Sequence, residues 1–214
     1  IDSLRENEVM SLKTRFGNLR NILDFENVPI DNIYVLDSPI LSNSQFEKFT
    51  VFFKNNLRVL DCTFNVQNNL KERLDQLSFE AEIAVREGCK HLILSDKQLS
   101  EKKAAVPMIL AFGAINSKLV NLGIRGFVSI NVQTGEVLDT HSFAVLLGIG
   151  ATIINPYLAF DSIYQRYEKK LFGKFSYEEC IQRYIKSVNN GLLKIMSKMG
   201  ISVLSAYRGG CNFE

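Results

Sequence analysis

The sequence predicts an α/β fold, with a mainly parallel sheet of repeated βα units flanked by helices. Short runs rich in β-branched residues alternate with longer segments of helical period. The runs are almost continuously apolar, which is typical of strands covered on both faces, as in a parallel sheet. They occupy residues 33–37, 57–61, 91–95, 126–132 and 151–155.

Each helix between these runs carries its own boundary residues. Ser42 and Gln45 have the spacing of a capping box, and Pro107 suits the first turn of a helix. Gly88 and Gly123 stand where left-handed residues would end two helices. The predicted helices cover residues 45–55, 70–88 and 107–123. The alternation of strands and helices therefore predicts repeated βα connections.

The pattern changes after Tyr157. Two long amphipathic helices, 157–172 and 177–200, are predicted, and the run 201–205 could be the first strand of a second βα series. Residues 1–32 read as a linker or the tail of an upstream region, with Pro29 breaking any helix before it. We therefore expect a domain boundary between residues 157 and 200.

Composition excludes several classes of protein. The chain of 214 residues is long enough to bury a sizeable core. It has 25 Lys and Arg against 23 Asp and Glu, which is too balanced for a nucleic-acid or anionic-membrane surface. No apolar run reaches the roughly 18 residues of a membrane span, so a soluble protein is predicted. Because the chain starts with Ile1 and stops at Glu214, we expect a fragment.

The cysteines and histidines do not form a local metal motif. The four cysteines are isolated, and only two histidines accompany them. They are Cys62, Cys89, Cys180, Cys211, His91 and His141. Scattered thiols are more typical of a reducing compartment than of a secreted protein, although two disulfides would be possible. We predict no metal site in this chain.

Two clusters resemble catalytic or cofactor motifs without meeting their geometry. His141 has Asp139 and Ser142 nearby, but residues this close on a helix do not face each other, so a structural histidine is predicted. His91 reads likewise as a packing residue. The Gly148-Ile149-Gly150 stretch follows a helix and precedes a strand, the reverse of the dinucleotide fingerprint, and so predicts a tight αβ turn.

The last stretch has the residue types of a ligand site. Gly200 and the pair 209–210 would allow close backbone approach to a ligand. Side-chain donors for a phosphate or carboxylate are offered by Lys198, Ser202, Ser205, Tyr207 and Arg208. A strand followed by a solvated loop is an equally good interpretation, since pockets are built from several distant segments.

Several stretches resemble the large subunit of glutamate synthase, in that family's order. They are GLLKIMSKMGIS and YRGGCNFE near the end, LDSPILSN at 36–43, LDCTF at 60–64, EAEIAVREGCKHLILSD at 80–96, HSFAVLLGIGA at 141–151 and NPYLAF at 155–160. The resemblance covers about residue 30 to the end. It implies that residues 33–160 are the family's central domain, and that 161–214 are connecting helices and the start of an FMN-binding (β/α)8 barrel.

The resemblance also implies a function. The family's large subunit makes two glutamates from glutamine and 2-oxoglutarate by ammonia transfer and FMN-mediated reduction. Its central domain links the amidotransferase and FMN domains and helps line the ammonia path. No catalytic residue is then expected in this chain, and the isolated fragment should be inactive. The alternative is a free-standing α/β scaffold or binding module without redox activity. A flavin enzyme with another substrate is a weaker option.

Cofactors and partners follow from the same resemblance. The full-length enzyme would hold FMN and a 3Fe-4S cluster whose ligands lie outside this chain. The implied cofactor-binding residues are Lys198, Met199, Gly200, Ser202, Ser205 and Tyr207. The RGGCNFE form resembles bacterial enzymes that use NADPH through a small FAD-containing subunit, with ferredoxin as the alternative donor. A cytoplasmic location is expected, with the plastid stroma as the alternative.

Overall fold

The computed structural model describes residues 1, 4–16, 34–210 and 212. Its helices are α1 (Glu6–Val9), α2 (Asn43–Phe52), α3 (Leu70–Arg86), α4 (Met108–Asn121), α5 (Thr140–Gly148), α6 (Tyr157–Glu168), α7 (Tyr177–Lys198) and α8 (Leu204–Tyr207). Its strands are β1 (Thr14–Phe16), β2 (Tyr34–Leu36), β3 (Leu57–Asp61), β4 (Thr63–Asn65), β5 (His91–Ser95), β6 (Lys103–Ala105), β7 (Ser129–Gln133) and β8 (Ile154–Asn155). Within these residues, no helix is long and apolar enough to cross a membrane.

The centre of the fold is a four-stranded parallel sheet with the order β3-β5-β7-β8. These four strands follow one another in the sheet in the same order as in the sequence. The segment between β3 and β5 contains α3, and the segment between β5 and β7 contains α4. This consecutive order is the one found around a (β/α)8 barrel. The predicted fold class, a parallel sheet flanked by helices, is confirmed.

One of the expected parallel strands belongs elsewhere. The run at 33–37 was expected to enter the main sheet, but Tyr34–Leu36 pairs antiparallel with Thr14–Phe16. The residues that follow β2 instead form hydrogen bonds with the free edge of β8. Ile154 N donates to Pro39 O, and Leu41 N donates to Ile154 O. An apolar run indicates a strand but does not identify its partner, so the sequence pattern could not distinguish these arrangements.

The two faces of the main sheet pack against different clusters, since alternate strand residues point in opposite directions. On what we call the outer face, Leu92 and Leu94 belong to the large core that also includes the buried side chains of α3, α4, α5 and α7. On the inner face, Ile93 packs in a smaller cluster with Phe46 and Phe49 of α2. Both faces are therefore covered at β5 and β7, as their apolar runs predict, whereas the edge strand β3 leaves Val59 54% exposed.

The predicted helix boundaries are largely present. Ser42 and Gln45 form the expected capping box, and Gly88 and Gly123 have φ of 88° and 70° beyond the ends of α3 and α4. Pro107 occupies the N-cap position of α4 rather than its first turn. A second capping box, formed by Ser176 at the start of α7, was not anticipated, although the Ser-x-x-Glu pattern is visible in the sequence.

The predicted strand at 201–205 is wrong. Val203 makes only an isolated parallel bridge with Ser11, and Leu204–Tyr207 is a short helix. Leu204 and Tyr207 are both buried, and their spacing of three residues places them on one face of a helix. The β-branched composition of the run was therefore outweighed by packing against the core.

The division into 1–32, 33–160 and 161–214 stays a prediction. Residues 17–32 lie outside the described part of the chain. Residues 10 and 12 are nevertheless part of the same hydrophobic core as Leu192, Met196 and Leu204. The described portion of the first segment therefore packs on the last helices of the chain.

Candidate functional site

The end of α7 carries the first three residues of the predicted cofactor site. Lys198 is its last residue and is exposed, and Met199 is 42% exposed at the C-cap. Gly200 follows with φ of +77°, and the next amide, Ile201 N, donates to Met196 O. This is the usual left-handed ending of a helix. The turn itself therefore accounts for the glycine, while the space beside it is open.

Ser202 and Ser205 are both exposed. The carbonyl of Ser202 accepts a hydrogen bond of 2.8 Å from Ser11 N, which fixes the backbone without involving the hydroxyl. Ser205 lies in α8. Both serines are thus exposed, as is Lys198 nearby in the chain. Their binding to a cofactor stays a prediction.

Tyr207 differs from the other residues of the predicted site. It is 1% exposed, and its hydroxyl donates to Ala144 O of α5 at 3.0 Å. Burial raises the pKa of Tyr207. The side chain thus connects α8 to α5 inside the core, and its hydroxyl is already used within the protein.

Arg208 is also directed into the protein rather than toward solvent. Its Nε donates to Ala151 O at 2.7 Å, and its Nη2 donates to Thr152 O at 3.0 Å and to Thr14 Oγ1 at 3.1 Å. Burial, together with the nearby charge of Arg125, lowers the pKa of Arg208 to about 10. The guanidinium remains charged at neutral pH, and these three acceptors are uncharged oxygens.

The Gly148-Ile149-Gly150 stretch forms the tight αβ turn predicted for it. Helix α5 ends at Gly148, and Gly150 has φ of +117° before the chain enters β8. Arg125 Nη2 donates to Gly150 O, and Gly209 N donates to Gly148 O. The turn is thus held by residues from two distant parts of the chain.

A row of polar side chains at the sheet was missed by sequence reasoning. It lies on the inner face at the C-terminal ends of the strands, where Asp61, Ser95 and Gln133 occupy one register position. Ser95 Oγ donates to Gln133 Oε1 at 2.8 Å, and Gln133 Nε2 donates to Asn155 Oδ1 at 3.1 Å. The pattern was visible in the sequence, because three of the predicted strands end in Asp61, Ser95 and Asn155.

Beside this row is a cavity of about 380 Å³ between α2 and the inner face. Its lining residues are Asn43, Phe46, Glu47, Thr50, Val59, Ile93, Lys97 and Gln133. Asn155 Nδ2 donates to Asn43 Oδ1, so the amide row continues onto α2. Amide and hydroxyl groups of this kind can donate to or accept from a small uncharged polar molecule. The lining also contains the carboxyl group of Glu47 and the amino group of Lys97.

The packing role predicted for His91 is confirmed, and the structural role predicted for His141 stays a prediction. His91 is 5% exposed, its Nδ1 lies 2.7 Å from Ser129 Oγ, and its ring lies 4.2 Å from that of Phe53. Burial lowers its pKa to about 4, so it is neutral at physiological pH. His141 is exposed at the start of α5, where Asp139 accepts from the backbone and hydroxyl of Ser142 as an N-cap.

The cysteines show no redox or metal arrangement in the described residues. Cys62, Cys89 and Cys180 are free thiols. Burial raises the pKa of Cys62 to about 12, so its reactive thiolate form is suppressed. No group of three or more His, Cys, Asp or Glu side chains that could hold a metal ion was found among the residues described. Cys211 lies outside them.

Comparison with known proteins identifies the family of this chain. The family model described as glutamate synthase central domain matches residues 1–214. The chain belongs to the glutamate synthase central domain family. A glutamate synthase [NADPH] large chain from Azospirillum brasilense is 48% identical over 217 residues, which cover 100% of this chain and 14% of the relative.

Ferredoxin-dependent members of the glutamate synthase family are also similar. The chloroplastic ferredoxin-dependent glutamate synthase of Oryza sativa subsp. japonica is 40% identical over 229 residues, which cover 100% of this chain and 14% of the rice protein. The glutamate synthase [NADPH] large chain of Bacillus subtilis is 37% identical, with the same 100% and 14% coverage. The chain therefore spans 14% of the length of these relatives.

Among solved structures, the chain resembles an L230A mutant flavocytochrome b2 with benzoylformate. The TM-score is 0.50 at 14% sequence identity, and the match covers 78% of this chain and 38% of the flavocytochrome chain. At this identity the likeness concerns fold alone. It agrees with the consecutive strand order of the sheet, which is the order found in (β/α)8 barrels.

Proposed function

We propose that this chain is the part of a glutamate synthase large chain that links the amidotransferase and FMN domains and helps line the ammonia path between them. The full-length enzyme would make two glutamates from glutamine and 2-oxoglutarate. The observation that carries this proposal is the match of the central-domain model to residues 1–214. No observation favours a free-standing scaffold.

The side chains of this domain suit a role in binding and positioning. The inner face presents the amide row of Gln133, Asn155 and Asn43, whose members hydrogen-bond to one another. Such groups can border a path for ammonia without protonating it, because they are neutral at physiological pH. Ammonia that is released in one domain must be kept unprotonated to react in another.

FMN would be held mainly by residues outside this chain. FMN supplies the reducing equivalents for glutamate formation when it is bound. The exposed Lys198, Ser202 and Ser205, together with the open space at Gly200, fit one edge of a phosphate or isoalloxazine site. Met199 would add an apolar contact. Tyr207 fits only as a residue that positions this edge, since its hydroxyl donates to Ala144 O.

We infer NADPH as the ultimate electron donor, acting through a small FAD-containing subunit, with ferredoxin as the alternative. The Azospirillum relative named as NADPH-dependent is 48% identical, which favours the first, whereas the ferredoxin-dependent rice relative at 40% lies above the NADPH-dependent Bacillus relative at 37%. A 3Fe-4S cluster would be bound elsewhere in the large chain. The inferred location is the cytoplasm, with the plastid stroma retained because the rice relative is chloroplastic.

A segment exchange tests the proposal. The segment of the Azospirillum large chain that corresponds to residues 1–214 is replaced by this sequence, and glutamate formation from glutamine and 2-oxoglutarate is measured. We expect a rate within about tenfold of the parent, a change in barrier below about 1.4 kcal/mol. The control is the parent rebuilt through the same junctions. A folded chimaera that hydrolyses glutamine and forms no glutamate would refute the proposal.

The isolated chain provides the complementary test. We expect purified residues 1–214 to release no ammonia from glutamine and to form no glutamate. Ammonia release would be followed with a coupled assay, alongside the intact enzyme at the same molar concentration. Turnover by the fragment at a rate comparable with the intact enzyme would contradict the assignment of a linking role.

A further inference from the structure

The cavity between α2 and the inner face has the size and position of a small-molecule site. Its volume of about 380 Å³ lies within the range of ligand pockets, about 300–1,000 Å³. Gln133, which lines it, is the last residue of β7, and Lys97 follows the end of β5 by two residues. Parallel α/β sheets bind their ligands at the carboxyl ends of the strands. The cavity therefore lies where such folds bind ligands.

Two opposite charges line this cavity and are not paired with each other. Glu47 belongs to α2, and Lys97 belongs to the segment after β5. In the part of the chain that the structure describes, neither side chain forms an ion pair. Lys97 Nζ instead lies 5.9 Å from the centre of the Tyr157 ring. A zwitterion between the two side chains would give each of them a partner of opposite charge.

The rest of the lining combines an amide with apolar side chains. Gln133 Oε1 accepts from Ser95 Oγ, and Gln133 Nε2 donates to Asn155 Oδ1. A primary amide has two N–H groups and an oxygen with two lone pairs, so Gln133 keeps one donor and one acceptor position for a further partner. Phe46 and Ile93 add apolar surface to the same cavity. This combination suits a ligand with a primary amide on a short methylene chain.

We propose that the cavity binds a free α-amino acid that carries a side-chain amide, as asparagine and glutamine do. The α-carboxylate would contact Lys97, the α-ammonium group would contact Glu47, and the amide would contact Gln133. A side-chain carboxylate would bring a second negative charge next to Glu47, with one lysine to balance it, so acidic amino acids fit less well. The bound ligand would connect α2 to the sheet, because its partners lie on both.

Hydrogen exchange in the full-length large chain tests this site locally. We expect L-asparagine and L-glutamine to slow exchange of the amides in residues 43–53, which include α2, by about fivefold or more. An amino acid that binds elsewhere in the large chain would leave this peptide unchanged. Slowing by both amino acids, or by either one alone, supports the site and identifies which side-chain length it accepts.

Four analogues test which groups of the ligand are recognised. Succinamate is asparagine without its α-ammonium group, and 3-aminopropanamide is asparagine without its α-carboxylate. Each should need a concentration at least about tenfold higher than L-asparagine for the same slowing, because each leaves one charged side chain without a partner. L-Aspartate and L-glutamate should bind more weakly by a similar factor, and the L-glutamate sample also controls for any glutamate formed from glutamine.

Substitutions of the two charged side chains test the protein side. Both residues are exposed, so removing either charge should leave the fold intact. Glu47→Gln and Lys97→Met should each raise the Kd for L-asparagine about tenfold. Lys48→Met is the matched control, because Lys48 is an exposed neighbour in α2 that is not among the lining residues of the cavity, and its Kd should equal that of the unmodified chain.

Three results would overturn the proposal. The first is unchanged exchange in residues 43–53 with either amide amino acid at about 10 mM. The second is an equal Kd for L-asparagine in Glu47→Gln, Lys97→Met and the unmodified chain. The third is binding of succinamate or 3-aminopropanamide as tight as that of L-asparagine. Exchange needs no turnover, so this site is tested independently of the proposed function, against which an absence of glutamate formation would count.

Discussion

Substituting Gly191 with alanine should destabilise the fold despite its position inside a helix. Gly191 lies in the middle of α7, where alanine would normally gain about 1 kcal/mol in helix propensity. A Cβ at this position would, however, lie 2.5 Å from Thr140 Cγ2 and 2.6 Å from Thr140 Oγ1 of α5. The glycine permits the close approach of α7 to α5.

The size of the effect follows from these two opposing contributions. Distances this short require Thr140 or the helix to move, and overpacking of this kind costs about 1–3 kcal/mol. After the gain in propensity, we expect Gly191→Ala to lower the free energy of unfolding by up to about 2 kcal/mol. Adding Thr140→Ala removes the two closest atoms and leaves only Thr140 Cβ at 3.1 Å.

Urea denaturation of the purified chain and its variants measures this effect. The double mutant should recover most of the stability lost in Gly191→Ala, with a coupling energy of about 1 kcal/mol or more between the two positions. Gly113→Ala in α4 is the matched control, because a Cβ there meets nothing within 4 Å, and it should be stabilising. Additive effects of the substitutions at 191 and 140 would refute the steric argument.

Three further predictions concern the buried polar groups and the candidate cofactor edge. The pKa of His91 is about 4 in the folded chain and about 6.5 in an exposed histidine, so the unfolded chain binds the proton at a higher pH than the folded chain. The free energy of unfolding should therefore fall by up to about 3 kcal/mol as pH drops from 6.5 to 4. His91→Gln should flatten this dependence, measured by urea titration at several pH values; an equal slope would contradict the assignment. Tyr207→Phe should lower the free energy of unfolding, measured by thermal unfolding, by about 1 kcal/mol because it removes the hydrogen bond to Ala144 O. Tyr164→Phe, at a site that is 48% exposed, should change this free energy little. In the full-length enzyme, combined Ser202→Ala and Ser205→Ala should lower flavin content or glutamate formation while glutamine hydrolysis persists. Unchanged FMN affinity in a fluorescence titration would show that these serines are surface residues that do not bind the cofactor.

The order of strands and helices followed from local chemistry. The runs around Leu92 and Ile130 were long enough and apolar enough to indicate strands covered on both faces, and these strands are buried. Helix ends were equally local: Ser42 caps α2 through a residue three positions away, and Gly88 adopts the left-handed conformation that glycine permits. Interactions within a few residues determined these features, so the sequence alone revealed them.

The candidate flavin edge was identified by residue type, and its geometry depended on distant partners. Tyr207 and Arg208 are hydrogen-bond donors in any context, and the sequence marked them as ligand donors. Their acceptors proved to be Ala144, Ala151 and Thr14, which lie 57 or more residues away along the chain. The sequence identifies a side chain as a hydrogen-bond donor, but its acceptor is determined only when the chain folds.

By itself, the sequence determined the fold class, the helix caps and the family to which this chain belongs. Only the tertiary structure decided that Tyr34–Leu36 pairs with Thr14–Phe16, that residues 204–207 are helical, and that Ser11 lies against Val203. Apolar periodicity reports that a segment will be buried, because burial depends on the side chains of that segment. The partner that buries it depends on the free energy of the whole packed core, to which residues throughout the chain contribute.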